Sequence, residues 1–335
     1  MMMPQMSIMI KLTIAVVVLL GLTACSSDGS AQTIPSAGEY EVTTEDLWCQ
    51  RGTSRIYGIL YRPQNAGSKL PLVIMAHGFG GTHGNVRGYA EAVSRKGFLC
   101  YCLDFCGGGN GSRSDGSTTE MSIFTEREDL IAVVGQLKTL PEVDNGRIIM
   151  MGESQGGMVS AITASQMPDD ILCLALFYPA FCIPDDAKRR YPTPDDIPAS
   201  SSLWGTQLGR TYYEGLYDFD VYTEIAKFNK PVLLLHGNRD NIVDISYSQR
   251  ASETYQQVEY HVLQGAGHGF SGSSQTQAVS YLLDWLMRQA LNESTAVTSA
   301  MSASNTGTTH TLSGMVASSG IRGIVIRNGR KYCMR

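Results

Sequence analysis

The strongest constraint on the fold is a series of short strand-like runs separated by helical patterns. The runs read KLPLVIMAHG, FLCYCLD, GRIIMMGES, ILCLALFYPA, KPVLLLHG and VEYHVLQG. Most of them are continuously apolar, which is typical of strands buried on both faces of a parallel sheet. Helical segments such as NVRGYAEAVSRKG, EREDLIAVVGQLKTL and GGMVSAITASQM lie between them. The alternation predicts an α/β fold with a mostly parallel sheet flanked by helices.

The remaining segments divide the chain around one main domain, predicted over residues 39–292. An alternating stretch, EYEVTTEDLWCQRGTSRIYGILYRP, opens this domain and predicts an antiparallel hairpin. Residues 178–225 hold no clear strand and are rich in Pro, Asp and aromatic residues. A long insertion of this kind predicts a small lid or binding loop. Residues 293–319 are rich in Ser and Thr and predict a linker, and the tail at 320–335 predicts a short strand pair.

The first residues are typical of a targeting signal. Lys11 precedes the apolar run LTIAVVVLLGL, which has the length of a signal-peptide core. The following LTAC resembles the bacterial lipoprotein signal, which implies cleavage after residue 24 and lipidation of Cys25. The alternative is an ordinary secretory signal in which Cys25 is removed or idle. Both interpretations predict an extracytoplasmic protein, and the first predicts a lipid anchor in a bacterial membrane followed by a tether over residues 25–38.

Composition excludes some classes of partner and site. The net charge is -5 and no basic stripe stands out, so no nucleic-acid partner is expected. The chain has eight cysteines, but their spacing matches no common zinc pattern and no metal site is expected. Cys100 and Cys102 alternate along one predicted strand and should pack as small apolar groups, whereas Cys106 is a candidate for a disulfide.

A serine between two glycines is the first sign of chemistry. Ser154 lies in GESQGG, between Gly152 and Gly156, directly after a predicted strand and before a predicted helix. This is the context of a nucleophile elbow, G-x-S-x-G, in which a sharp turn presents the serine hydroxyl at the top of a sheet. The glycines remove side chains that would collide with neighbouring backbone. Ser154 is therefore the candidate nucleophile.

A serine hydroxyl needs a general base and an orienting carboxylate. His268 lies in QGAGHGF, a glycine-rich loop after the last predicted strand, and is the candidate base. Of the other histidines, His77 and His236 end apolar strands, His261 lies within a strand pattern and His310 belongs to the tail. HGNRDNIVD follows another strand and offers Asp240 and Asp244, of which Asp240 is nearer the strand end and Asp244 is placed to cap a helix. The order Ser154, Asp240, His268 is the order of an α/β-hydrolase triad.

Two backbone amides are candidates for an oxyanion hole. One is the amide of Gln155, the residue after the nucleophile, and the other is the amide of Phe79 in the loop HGFGG. Each such donor is typically worth about 3 kcal/mol of transition-state stabilisation.

These motifs carry a resemblance that covers residues 39–292. The segments HGFGG, GESQGG, HGNRDNIV and GAGHGF resemble those of the α/β-hydrolase superfamily and, within it, of bacterial cinnamoyl or feruloyl esterases. The resemblance implies hydrolysis of hydroxycinnamoyl esters, free or linked to polysaccharides, by Ser154, Asp240 and His268, with Phe79 and Gln155 as amide donors. It also implies a lid over the active site. One departure is Glu153, which stands where that group commonly has His before the nucleophile.

Aromatic residues of the insertion are candidates for substrate contact, namely Trp204, Tyr212 and Tyr213. An equally simple interpretation is that they pack the lid against the domain. No cofactor is required by the proposed residues. Alternative functions are an acetyl or short-acyl esterase, a serine peptidase of the same fold, or a non-catalytic binding protein, which an intact triad disfavours.

Overall fold

The computed structural model describes the backbone of residues 39–302, 310–311, 323–327 and 330–334, and the side chains of residues 39–289. The predicted signal, Cys25 and the tether lie outside these residues. The strands are β1 Val42–Arg51, β2 Ser54–Pro63, β3 Leu70–Ala76, β4 Leu99–Leu103, β5 Val143–Glu153, β6 Cys173–Phe177, β7 Ser200–Leu203, β8 Thr206–Gly209, β9 Val232–Gly237, β10 Val258–Leu263, β11 His310–Thr311, β12 Gly323–Arg327 and β13 Arg330–Met334. The helices are α1 His83–Ser94, α2 Ile123–Leu137, α3 Ser154–Gln166, α4 Ile183–Arg190, α5 Thr211–Glu214, α6 Val221–Ile225, α7 Ile245–Thr254 and α8 Ser273–Ser302, with a 3₁₀ turn at Pro194–Asp196.

An eight-stranded sheet in the order β1-β2-β4-β3-β5-β6-β9-β10 forms the centre of the domain. The hairpin β1–β2 is antiparallel, β2 joins β4 antiparallel, and every further neighbour pairs in parallel. The prediction of a mostly parallel α/β sheet is confirmed. Since parallel strands point the same way, their carboxyl ends meet at one edge, where the loops carrying the candidate residues begin.

The apolar runs divide between two cores because successive side chains of a strand point to opposite faces. In β3, Leu72 and Ile74 belong to the core that α2 and α3 cover, whereas Val73 and Met75 belong to the core that α1 and α8 cover. The thiols of Cys100 and Cys102 share the second core, as predicted. Cys106 is a free, buried thiol and forms no disulfide.

Helix boundaries follow the local sequence. Thr82 and Ser122 begin α1 and α2 with capping boxes. Gly97 follows α1 with a φ of 93°, a left-handed conformation that glycine adopts without strain. Asp244 begins α7, and its carboxylate accepts the Ser246 amide at 2.9 Å, which is the capping role predicted for it.

Two segments differ from the sequence prediction. The insertion was predicted to hold no clear strand, but β7 and β8 form an antiparallel hairpin within it. Its turn is Trp204-Gly205, which lacks the usual Asn-Gly or Asp-Gly signal. The second difference is at residues 293–302, which were predicted to be linker but are helical, because α8 continues to Ser302 through a stretch with neither glycine nor proline.

Beyond α8, β12 pairs antiparallel with β13, at the position of the strand pair expected in the tail, and β11 adds a third strand. No helix in the described part of the chain combines the length and apolar character needed to cross a bilayer.

Candidate active site

The turn between β5 and α3 places Ser154 in a backbone conformation that side chains rarely adopt. Its φ is 52°, in the left-handed region, where a residue other than glycine is strained. A Cβ added to Gly152 would lie 2.3 Å from the Gly156 carbonyl oxygen, and one added to Gly156 would lie 2.3 Å from the His77 carbonyl oxygen. The two glycines are therefore required by close backbone approach on both sides of the serine.

The structure brings the three predicted side chains together at the carboxyl edge of the sheet. His268 Nε2 lies 2.9 Å from Ser154 Oγ, and His268 Nδ1 lies 2.7 Å from Asp240 Oδ2. These distances allow a proton to pass from hydroxyl to imidazole while the carboxylate holds the ring.

Asp240 is held as a carboxylate by four hydrogen-bond donors. Its Oδ1 accepts the backbone amides of Ile242 and Val243, each at 2.9 Å. Its Oδ2 faces His268 and also His236 Nε2, at 3.2 Å. Burial raises the pKa of Asp240, but the hydrogen bonds from both histidines and both amides outweigh burial. The pKa therefore lies well below its usual range.

The two candidate oxyanion donors flank the serine. Gln155 is the second residue of α3, where the first turn of a helix leaves amides without intrahelical partners. The loop that carries Phe79 passes close to the nucleophile, since a Cβ added to Gly78 would lie 3.1 Å from Ser154 Cβ. Phe79, Gln155 and Ser154 all line one cavity.

Comparison with known proteins agrees with this fold. A family profile described as the alpha/beta hydrolase fold matches residues 71–194. The structure of ferulic acid bound to Est1E from Butyrivibrio proteoclasticus superposes with a TM-score of 0.67 and 25% identity, covering 72% of this chain and 98% of that one. The chain has the α/β-hydrolase fold.

Two curated relatives also match, one at lower identity and the other over a shorter part of the chain. This hydrolase is 24% identical to the uncharacterized peptidase YtmA of Bacillus subtilis over 240 residues, which cover 69% of this chain and 88% of YtmA. It is 31% identical to the quorum-quenching protein AidA of Acinetobacter baumannii over 100 residues, which cover 29% of this chain and only 32% of AidA.

Two cavities of the hydrolase meet at Ser154. The first, the lid cavity, has a volume of about 430 Å³ and reaches under the insertion between α4 and α5. The second, the His268 cleft, has a volume of about 410 Å³ and is lined by His268 together with Glu153 and Tyr178. Phe79, Ser154, Trp204 and Ile242 line both spaces.

The three aromatic candidates of the insertion all line the lid cavity but differ in their surroundings. Trp204 is 71% exposed, and its ring meets Phe79 edge to face at a centroid distance of 5.7 Å. Tyr212 is buried and donates its hydroxyl to Gln155 Oε1 at 2.7 Å. Tyr213 is buried, and its hydroxyl accepts from Ser201 Oγ at 3.3 Å.

Sequence reasoning assigned His236 only a structural place, and it gave Tyr178 and Glu126 no role. The Tyr178 ring meets the His268 ring edge to face at 4.8 Å and donates its hydroxyl to Glu153 Oε2 at 2.8 Å. Burial raises the pKa of Glu153, against hydrogen bonds from Tyr178 and the Gly78 backbone. Glu126, in α2, accepts Gln155 Nε2 at 2.9 Å. The only signal of these contacts in the sequence was Glu153, which departs from the family pattern.

The remaining described histidines form contacts outside the Ser154–His268–Asp240 chain. His77 Nδ1 lies 2.7 Å from the Gly78 carbonyl oxygen, while its Nε2 accepts the Phe105 amide. His83 pairs with Asp104 and His261 with Glu259. Within residues 39–289 no group of three or more His, Cys, Asp or Glu side chains gathers as a metal would require.

Proposed function

We propose that this hydrolase is a serine carboxylic-ester hydrolase that cleaves hydroxycinnamoyl esters of the feruloyl type. The observation that carries the proposal is the chain of contacts from Ser154 Oγ through His268 to Asp240 beside an apolar cavity. The resemblance to Est1E, solved with ferulic acid bound, supports the acyl class.

The reaction follows from the positions of the three side chains. His268 Nε2 takes the Ser154 proton as Oγ attacks the ester carbonyl, and the Phe79 and Gln155 amides stabilise the oxyanion. The carbon–oxygen bond to the alcohol breaks as His268 returns the proton to the leaving oxygen. Water then attacks the acyl-enzyme with His268 as base, and the acid leaves as Ser154 regains its proton.

We assign one half of the ester to each of the two cavities. The leaving alcohol must lie beside His268, because His268 gives it a proton, and His268 lines only the His268 cleft. The acyl group therefore occupies the lid cavity, whose lining is mainly apolar and includes Tyr212, Tyr213 and Leu203.

Trp204 supports an aromatic acyl group. It has a φ of 48° in the β7–β8 turn, where Asn, Asp or Gly is the usual residue, so its conformation costs of order 1 kcal/mol or more. Since its ring is 71% exposed, burial in the fold does not offset this cost. The fold does not explain a strained, exposed tryptophan at this position, whereas stacking of its ring on a flat substrate beside Phe79 does.

We also infer from the sequence that Cys25 carries a lipid and that the enzyme acts outside the cytoplasm, on free esters or on esters linked to a polysaccharide. Metabolic labelling with a clickable fatty acid would label the full chain, whereas Cys25→Ala would abolish the label. A label retained by Cys25→Ala would overturn the anchor.

A substrate panel tests the function. The chain from Ser26 onward would be assayed on methyl ferulate, 4-nitrophenyl acetate and an aminoacyl anilide, with Ser154→Ala as control. Turnover of methyl ferulate with a higher kcat/KM than 4-nitrophenyl acetate would support the proposal. Preference for the acetate would indicate a short-acyl esterase, and cleavage of the anilide alone would indicate a peptidase, the class named for YtmA.

A further inference from the structure

A buried carboxyl group without a cation lies behind the nucleophile turn. Glu126 of α2 is 1% exposed, and no Lys, Arg or His of the described residues pairs with it. Its hydrogen-bond partner is Gln155 Nε2, at 2.9 Å. The nearby acid Asp129 has its own cation, because Arg51 Nε lies 2.6 Å from its Oδ1.

The side chain of Gln155 is fastened at both ends. Its Nε2 donates to Glu126 and contacts Met121 Sδ at 3.7 Å, while its Oε1 accepts the hydroxyl proton of Tyr212 at 2.7 Å. Tyr212 belongs to α5 of the insertion and lines the lid cavity. One amide side chain thus joins α2 to the lid, and the backbone amide of the same residue is the proposed oxyanion donor.

Glu126 is surrounded by groups that cannot neutralise a charge on it. The pKa of Glu126 is raised to about 8, chiefly by burial and in smaller part by the nearby charge of Asp129, while the Gln155 hydrogen bond opposes the rise. The groups that face Glu126 are Asp129 on its own helix, Gln155 of α3 and Tyr212 of α5. None is cationic, so an ionised Glu126 would be a buried charge without compensation.

We propose that Glu126 is a positioning residue for the oxyanion hole and that, in its neutral form, it ties the lid through Gln155 and Tyr212 to the nucleophile turn. The dry surroundings of Glu126 disfavour its ionised form more strongly than the Gln155 hydrogen bond favours it. Ionisation therefore favours an open arrangement in which water reaches the carboxylate, and the lid and the Gln155 amide lose their fixed geometry. The role of Glu126 in oxyanion stabilisation rests on the proposed function, whereas its connection to the lid does not.

It also revises the prediction for Tyr212. With its hydroxyl donated to Gln155, Tyr212 presents only its ring to the lid cavity. Its contribution to substrate binding is therefore one wall of that cavity.

The experiment compares the whole chain with Glu126→Gln, which keeps a neutral side chain at every pH, and with Tyr212→Phe. The control is Glu128→Gln, the same exchange at an exposed position of α2. The first measurement is kcat/KM for methyl ferulate from pH 6 to 9.5. We expect wild type and Glu128→Gln to lose about half of their activity at pH 8 and about tenfold at pH 9, whereas Glu126→Gln stays level.

Two further readouts separate positioning from a merely structural role. Tyr212→Phe should lower kcat and weaken binding of an aryl boronic acid, which forms a tetrahedral serine adduct, by the same factor while the inhibition constant of ferulate stays unchanged. Equal loss of boronic acid and ferulate binding would overturn the positioning role.

Hydrogen exchange in residues 200–215, corrected for intrinsic rates, follows the lid without substrate. Exchange should rise with pH above 8 in wild type and remain constant in Glu126→Gln. The connection would be refuted if wild type and Glu126→Gln showed the same pH profile of activity and the same pH profile of exchange. If no ester is hydrolysed while lid exchange follows Glu126, the proposed function fails and the tie to the lid stands.

Discussion

His236 Nε2 lies 3.2 Å from Asp240 Oδ2 in a fully buried pair behind the candidate active site. The same Nε2 is 3.0 Å from the Val243 carbonyl oxygen, which can only accept, so Nε2 carries the proton. Nδ1 lies 2.6 Å from Ser248 Oγ. His236 is therefore a second imidazole donor to Asp240 Oδ2, the oxygen that also faces His268.

Removing this donor should weaken catalysis more than substrate binding. A buried hydrogen bond to a charged group contributes about 1.5 to 3 kcal/mol. His236→Leu should therefore lower kcat about ten- to a hundredfold with KM changed less than about threefold. Steady-state kinetics with methyl ferulate measures both constants, and circular dichroism checks folding. His261→Leu, at a histidine paired with Glu259 away from the site, is the matched control.

The candidate acid can be distinguished from its neighbour by one matched pair. Asp240→Asn places an amide NH₂ among four donors and should lower kcat by about 10³- to 10⁴-fold. Asp244→Asn should leave kcat unchanged, because Asn also caps a helix well. Ser154→Ala gives the background rate. Greater loss in the Asp244 variant would reassign the acid.

The elbow glycine and a helix glycine should respond oppositely to the same substitution. Gly156→Ala places a methyl group 2.3 Å from the His77 carbonyl oxygen and should lower the free energy of unfolding by about 2 kcal/mol or more. Gly135 of α2 has no atom within 4 Å of an added Cβ, so Gly135→Ala should raise it by about 0.5 to 1 kcal/mol. Urea denaturation measures both. A neutral Gly156→Ala would show that the turn has room to relax.

Replacing Trp204 should increase the stability of the protein and weaken substrate binding. Trp204→Asn relieves the turn and should raise Tm by a few degrees, while KM for methyl ferulate rises about tenfold. The KM for 4-nitrophenyl acetate should change little, because an acetyl group does not reach the ring. Trp48→Ala, at an exposed tryptophan of β1, is the control. Equal effects on both substrates would argue against stacking.

Glu126 should make stability depend on pH in the neutral range. Its pKa is raised to about 8 in the folded chain from about 4.3 when unfolded. Its stabilising effect is complete below the unfolded value and is lost as pH rises towards 8. The free energy of unfolding of Glu126→Gln minus that of wild type should therefore grow between pH 5 and 8, by up to about 1.4 kcal/mol per pH unit. Denaturation at several pH values measures the difference, and a constant difference contradicts the buried neutral acid.

Features that depend on a local sequence pattern could be predicted from the sequence. The order of strands and helices, the turn around Ser154 and the loops that carry Asp240 and His268 each have their own signal. Glu126 and Tyr178 have none, because their importance arises from contacts with residues far along the chain. The hairpin in the insertion escaped prediction because Trp204 occupies the turn position that Asn or Gly normally marks.

The partition between the lid cavity and the His268 cleft consists of Phe79, Ser154, Trp204 and Ile242. A change in one of the three side chains beside the nucleophile alters the room for the acid and for the alcohol at the same time. Preferences for the two halves of the ester are therefore coupled, and directed evolution towards a bulkier acid through this wall will shift the range of accepted alcohols. Independent tuning requires residues that face one side alone, such as Leu203 for the acid and Asn85 for the alcohol.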